Sequence, residues 1–271
     1  MEPVRPRRFA ARGIIHCHSD LSYDCKTRLA DLCVILRREG FSFVALTEHV
    51  KGVSPEDYDR FVAQCRKETN GSFVVIPGLE VRCGDGIEVA AVGVSELVNS
   101  GPPDEVVSHV RNLGGYAVWV HPLKRGRWMG RLLGCDAIEV MNGKVDGTVA
   151  PDLALLRRVR KCRRMGAGVH AIFGLDMHDL DQPREVWVEC KVPALTPAHV
   201  VQSLRDGAYV NRVARGAVSS SGEIALFEHL WLLILRWAFI AWNAVCEVVP
   251  TKVLTVLIRV SRPFVRMIKN G

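Results

Sequence analysis

From residue 13 to residue 210 the chain alternates short apolar runs with longer amphipathic stretches, and that rhythm limits the folds open to it. "GIIHCH", "FSFVALTEH", "FVVIPGLEV", "IEVAAVGV", "YAVWVHP", "CDAIEVMNG" and "GVHAIFGLDMH" have the length and β-branched content of buried strands. Between them, "TRLADLCVILRREG" puts Leu29, Leu32, Ile35 and Leu36 on one helical face and stops at Gly40. "SPEDYDRFVAQCRKETNG" opens with Ser54 as N-cap and Pro55 at the first helical position. Further helices are expected at "PDEVVSHVRNLGG", "PDLALLRRVRKCRRMG" and "TPAHVVQSLRDG", with another strand at "REVWVEC". Strands alternating with helices at this pace predict an α/β fold around a parallel sheet, open or closed as a barrel.

The remainder reads differently. "VSSSGE" has the composition of a linker at 218–222, which divides the chain into a unit over 1–217 and an extension over 223–271. Residues 230–246 carry a single charge, Arg236, and are apolar around nearly the whole circumference of a helix. An arginine in that position costs roughly 2.5–3.5 kcal/mol at the centre of a bilayer. The tryptophans at 231, 237 and 242 suit an interfacial position better. Beyond Pro250 the charges are all positive: Lys252, Arg259, Arg262, Arg266 and Lys269. An apolar helix followed by a basic amphipathic stretch is expected either to dock on an anionic membrane surface or to pack on protein.

Composition sets wider limits. Hydrophobic residues make up 48% of the 271 and charged residues 24%, enough for a sizeable core. A net charge of +7 suits an anionic substrate, a membrane surface or nucleic acid. Nine cysteines without a CxxC pair read as reduced thiols of a cytoplasmic protein, and no apolar segment of the secretory type follows the basic N-terminus.

The chemistry-bearing residues gather at the ends of the expected strands. His16 and His18 close the first, with Asp24 in the loop behind it, and His49 closes "VALTEH". Glu80 closes "VVIPGLE", His121 closes "AVWVH", and Asp176 and His178 close "IFGLDMH". In a parallel barrel those ends open on one face. Strand alternation would turn His16 and His18 to the same side and Cys17 away, and would do the same for Asp176 and His178. Imidazole and carboxylate without thiolate suit zinc, manganese or iron. His109, His170, His199 and His229 fall elsewhere and read as structural or solvent-exposed.

Taken in order, "HCHSDLSYD", "ALTEH", "IPGLEV", "WVHP" and "GLDMHD" resemble the motifs of the PHP (polymerase and histidinol phosphatase) family of metal-dependent phosphoesterases, over about residues 13–210. The resemblance implies a distorted (β/α)7 TIM-like barrel, here with a C-terminal hydrophobic and amphipathic helical extension. It implies two or three divalent ions per chain. His16, His18, Glu80 and Asp176 would hold the first. Glu80 would bridge to a second that also takes His121. Asp24, His49 and His178 would hold the third. Two positions depart from the family pattern. Glu48 stands where an Asp is usual, and Ala90 stands about where many members carry a His, with Glu88 two residues earlier on the same strand face.

These residues imply hydrolysis of a phosphoester by a metal-activated water, with all eight strand-end and loop residues in the catalytic set. Lys124 and Arg127 in "HPLKRGRW", and Arg82 two residues after Glu80, are expected phosphate contacts. Glu139 and Asn142 are placed to orient groups behind the site. A phosphatase or phosphodiesterase acting on a phosphorylated small molecule or short oligonucleotide is the leading expectation. Exonuclease action on oligonucleotide ends and a catalytically weakened metal-binding module are the alternatives. No basic stripe interleaved with aromatics supports a long nucleic-acid track.

Overall fold

The computed structural model of the chain describes residues 9–84, 86–122, 134–147, 150–214 and 216–248. The first half runs β1 (Phe9–Cys17), α1 (Leu29–Arg38), β2 (Phe43–Leu46), β3 (Glu48–His49), α2 (Pro55–Glu68), β4 (Val74–Ile76), β5 (Gly78–Arg82) and β6 (Glu88–Val92). It continues with α3 (Pro103–Asn112), β7 (Tyr116–Val120), β8 (Ala137–Asn142), α4 (Leu153–Arg164) and β9 (His170–Gly174). The last part is β10 (Val186–Val192), α5 (Pro197–Arg205), β11 (Tyr209–Val213), β12 (Gly216–Ser219) and α6 (Leu226–Val248). Helix starts follow the local chemistry. Ser54 and Asp57 form a reciprocal capping box on α2, the Asp152 side chain accepts from the amides of Ala154 and Leu155, and Thr196 accepts from the amide of His199.

The strands form two six-stranded sheets, ordered β12-β11-β10-β1-β2-β4 and β3-β5-β6-β7-β8-β9. Neither closes on itself among the described residues: the arrangement is a mixed α/β fold of two open sheets, and it does not by itself establish the distorted (β/α)7 TIM-like barrel expected from the sequence. The sheets are not purely parallel either. β1, β2 and β4 run parallel, as do β7, β8 and β9, but β6 is antiparallel to both its neighbours and β10 is antiparallel to β1. The reason is connection length. Residues 83–87 between β5 and β6, and 175–185 between β9 and β10, hold no helix and are too short for a crossover that returns the chain parallel.

Two apolar layers follow from the pleat. Ile15, Phe43, Val74, Val92, Tyr116 and Ile172 pack between the sheets, and Val200 and Leu204 of α5 join them. The alternate side chains, among them Ile14, Val44, Val75 and Ile138, pack outward against α1, α2, α3 and α4. At one edge the sheets meet: Leu175 donates its amide to the Ile15 carbonyl at 2.9 Å, and Cys17 bridges Met177 in parallel. The centre described below forms at that seam.

The C-terminal part is attached to this body. Val218 and Ser219, within the stretch expected as a linker, end β12 and pair with Asn211 and Val210 of β11. Leu232 of α6 is fully buried in the outer layer. Arg236 is salt-bridged to protein: its guanidinium donates to Asp146 at 3.0 Å and to Asp152 at 3.3 Å. No described helix is long and apolar enough to cross a membrane. The cation-only stretch 252–269 lies outside the described residues.

Candidate metal centre

Three of the strand-end residues hold their side chains through backbone that L-residues seldom adopt. His16, His121 and Asp176 have φ of 63°, 50° and 52°, and no other described non-glycine residue has positive φ. Each such residue costs about 1–3 kcal/mol and persists only where its surroundings fix it. At His16 the pairing of β1 with β2 slips by one residue between Ile15 and Cys17. That bulge, and not simple strand alternation, turns His16 toward His18. Asp176 and His178 lie beyond the end of β9, so the same correction applies to them. Gly174 allows the close approach: any Cβ there would run into the Glu139 carboxylate and the His16 side chain.

The side chains converge. His16 Nε2 lies 3.3 Å from Glu80 Oε2 and 3.7 Å from Asp176 Oδ1; His18 Nε2 lies 3.5 Å from each of those oxygens. His121 Nε2 is 3.3 Å from Glu80 Oε1 and 3.7 Å from Asp176 Oδ2. On the far side of His18, Asp24 Oδ2 lies 3.3 Å from His49 Nε2 and 3.4 Å from His178 Nε2. The rings of His18 and His178 approach to 4.1 Å, and those of His18 and His49 to 4.6 Å. Donor atoms of His16, His18 and Glu80, of His16, His121 and Asp176, and of His18, His49 and His178 lie within 4.8 Å of one another in each group.

A second layer fixes the rings. Glu139 Oε1 accepts from His16 Nδ1 at 2.7 Å, and its Oε2 accepts from the His121 amide at 3.1 Å and from Asn142 Nδ2 at 3.2 Å. Glu48 is fully buried. It accepts from Ser19, through amide and hydroxyl, and from the Ser22 hydroxyl at 2.5 Å. Ser22 has one proton, and it goes to Glu48. Its oxygen therefore accepts from the His49 amide at 3.0 Å and from His18 Nδ1 at 3.1 Å. That places the His18 proton on Nδ1 and leaves Nε2 as a bare lone pair.

Three buried atoms have no hydrogen-bond partner here: His18 Nε2, Glu80 Oε1 and His178 Nε2, one in each part of the cluster. An unsatisfied buried polar atom costs about 1–3 kcal/mol. A lone pair facing two carboxylates adds repulsion that a cation placed between them would reverse. Hard oxygen and borderline imidazole donors, with second-layer partners on the remote ring nitrogens, fit a divalent ion.

The electrostatics agree. Burial lowers His18 to about 4, so it is neutral at neutral pH. Burial also works against charge on His16, but the carboxylates of Glu139, Asp176 and Glu80 outweigh it and hold the ring well above 6.5. For Glu80 and Asp176 burial acts upward, and the neighbouring histidines more than reverse it, keeping both carboxyls well below their ordinary range.

The cluster floors a cleft of about 440 Å³ whose rim includes Tyr23, Lys51, Arg82 and Lys144. Lys144 Nζ lies 3.9 Å from Asp176 Oδ1 and 3.1 Å from His178 Nδ1. Of the three expected phosphate contacts, Arg82 lines the cleft, while Lys124 and Arg127 lie outside the described residues. Lys144, Ser19 and Ser22 escaped the sequence reading, although "NGK" follows a strand end and both serines sit inside "HSDLS". A cleft of similar size, about 480 Å³, lies between α2 and α5 and contains none of the clustered histidines or carboxylates.

No family model matches the chain, and no curated protein matches it. Solved structures do. A two-domain protein from Bacteroides vulgatus containing a predicted PHP-like metal-dependent phosphoesterase superposes with a TM-score of 0.62 at 15% identity, over 80% of this chain and 68% of that one. PsfC from Pseudomonas syringae superposes with a TM-score of 0.51 at 13% identity, over 86% of this chain and 99% of that one. The resemblance to PHP-like metal-dependent phosphoesterases read from the sequence extends to the fold.

Proposed function

We propose that this chain hydrolyses phosphoesters with two or three divalent ions held by His16, His18, Asp24, His49, Glu80, His121, Asp176 and His178. The observation that carries the reading is the buried His18 Nε2 lone pair, oriented by Ser22 and placed 3.5 Å from two carboxylates. Bound divalent ions would lower the pKa of a shared water from 15.7 to about 7 and neutralise phosphoryl oxygens. The chain's own part is positioning. Glu139 and Ser22 fix the ring orientations of His16 and His18. Lys144 and Arg82 offer cations at the rim for the substrate's non-bridging oxygens. A cleft of about 440 Å³ suits a phosphorylated small molecule or the end of a short oligonucleotide.

Elemental analysis of the purified chain, paired with hydrolysis of an aryl phosphate monoester and diester, tests this. Two or three ions per chain with turnover lost in His18→Ala is the expected result. Metal without turnover on either ester, or on a short oligonucleotide, would favour the weakened-module alternative. A chain without metal after metal supplementation would end the reading.

The extension has a reading of its own. Leu230, Ile234 and Trp237 are exposed on the side of α6 away from the buried Leu232, and Ile240 is exposed further along the helix. The sequence that follows carries cations alone. That combination fits a peripheral contact with an anionic lipid surface. Co-sedimentation with phosphatidylserine vesicles and not with phosphatidylcholine vesicles, lost in Ile234→Glu with Trp237→Glu, is expected. A concentration-dependent dimer that the same pair dissociates would replace this reading.

A further inference from the structure

We propose that Glu88 is a metal ligand, and that Glu80, Glu88 and His121 hold a divalent ion of their own. The inference rests on the metal reading above and assigns a donor that it leaves out.

Because β6 runs antiparallel to β5 and β7, its first residue lies at the same end as their last ones. Register puts Ala90 across from Glu80 and Val118, and Glu88 across from Arg82 and Val120. Residues two apart on a strand share a face, so Glu88 and Ala90 point to the same side, with Glu88 nearer the mouth. Ala90 is buried and offers no donor. Ligand atoms of Glu80, Glu88 and His121 lie within 4.8 Å of one another.

A second observation points to a ligand there. The two oxygens of Glu80 face different neighbours. Oε2 looks toward His16, His18 and His49, at 3.3, 3.5 and 3.4 Å. Oε1 looks the other way, 3.3 Å from His121 Nε2 but without the alignment of a hydrogen bond. The Glu80 side chain is 2% exposed, so this oxygen is cut off from bulk water as well. A buried carboxylate oxygen with no aligned hydrogen bond, set beside a second carboxylate and the His121 imidazole, makes sense if a cation lies among the three.

Donor type then biases the metal. Two carboxylates and one imidazole form a harder set than the three imidazoles of His18, His49 and His178. Carboxylates suit manganese, while imidazoles suit zinc. The Glu88 position is therefore the one at which zinc's general advantage over manganese is expected to be smallest.

The test is a Mn2+ titration of the full-length chain stripped of metal with a chelator, followed by loss of the free-ion EPR signal, with a parallel Zn2+ loading counted by elemental analysis. Wild type is compared with Glu88→Gln and with Glu88→Asp, which keeps the carboxylate. The expected result is one Mn2+ and one Zn2+ fewer per chain in Glu88→Gln, with the other sites unchanged and partial recovery in Glu88→Asp. Equal Mn2+ binding by wild type and Glu88→Gln would overturn the Glu88 assignment while leaving the wider metal reading intact. A wild-type chain that takes up neither metal would overturn both.

Discussion

Glu139 Oε1 and His16 Nδ1 lie 2.7 Å apart and both are buried, in a residue pair separated by 123 positions in sequence. The contact ties the end of β8 to the bulge in β1 and fixes which nitrogen of His16 faces Glu80 and Asp176. Carboxylates in this position behind a ligating imidazole typically contribute 10- to 100-fold in metal affinity. Glu139→Gln keeps the shape and a hydrogen-bonding oxygen but removes the charge. We expect metal affinity to fall by about 10- to 100-fold, with the secondary structure unchanged by circular dichroism. Calorimetric titration of both proteins with the same metal reads the difference, and equal affinities would rule out an orienting role.

Ser22 gives a separate handle on the other histidine. Its hydroxyl joins buried Glu48 to His18 Nδ1 and the His49 amide. Ser22→Ala leaves two donors, His18 Nδ1 and the His49 amide, without their acceptor, while Glu48 Oε2 keeps the Ser19 amide at 3.1 Å. A loss of about 1–3 kcal/mol in unfolding free energy is expected, together with weaker metal binding. Chemical denaturation of the metal-free chain measures the first and a chelator competition the second. Loss of metal affinity at unchanged metal-free stability would mean that water replaces the hydroxyl.

Much of this centre was legible because carboxylates and histidines at successive strand ends are hard to explain otherwise. What was hidden is instructive. Nothing in the letters of His16, His121 or Asp176 signals positive φ, since only glycine announces that conformation. The run "IEVAAVGV" reads the same in either strand direction, and only the short 83–87 connection hints that β6 is reversed. β11 and β12 were missed, although Tyr209, Asn211 and Val213 alternate as buried residues. Arg236 looked costly because its partners, Asp146 and Asp152, are loop residues about 90 positions away.

Metal uptake is expected to depend on pH in a way that isolated imidazole would not. In the metal-free chain the carboxylates around His16 outweigh burial and raise it well above 6.5; His121 is raised for the same reason, chiefly through Glu80. A raised histidine pKa stabilises the metal-free fold below the unfolded value, near 6.5, and that contribution fades as pH climbs through the folded value. A ligating imidazole must be unprotonated, so each ring gives up its proton on binding. Apparent affinity is therefore expected to rise with pH beyond 7, by up to about tenfold per unit for each of the two rings. Calorimetry in buffers of different ionisation enthalpy counts the released protons. Affinity that is flat above pH 7, with no proton released, would contradict the placement of these rings among the carboxylates.

The attachment of α6 makes the last prediction. Burial raises the Asp146 carboxyl, and it stays at the interface because its own acceptance from the Asn142 amide and the Arg236 guanidinium offset that cost. Asp146 also pins the loop after β8, the loop that carries Lys144 to the cleft. Arg236→Leu removes the cation and leaves two carboxylates at an apolar contact. The expected loss is about 1–3 kcal/mol, opposed in part by the apolar gain of leucine. Two consequences are separable. Limited proteolysis is expected to cut near 221–225 faster in the variant, because only the apolar contacts of Leu232, Leu233 and Leu235 then hold the helix. Phosphate inhibition of ester hydrolysis is expected to weaken as the Lys144 loop loosens. Faster proteolysis without the second effect would confine Arg236 to anchoring α6. No change in either would mean that the apolar contacts of α6 suffice and that the ion pairs contribute little.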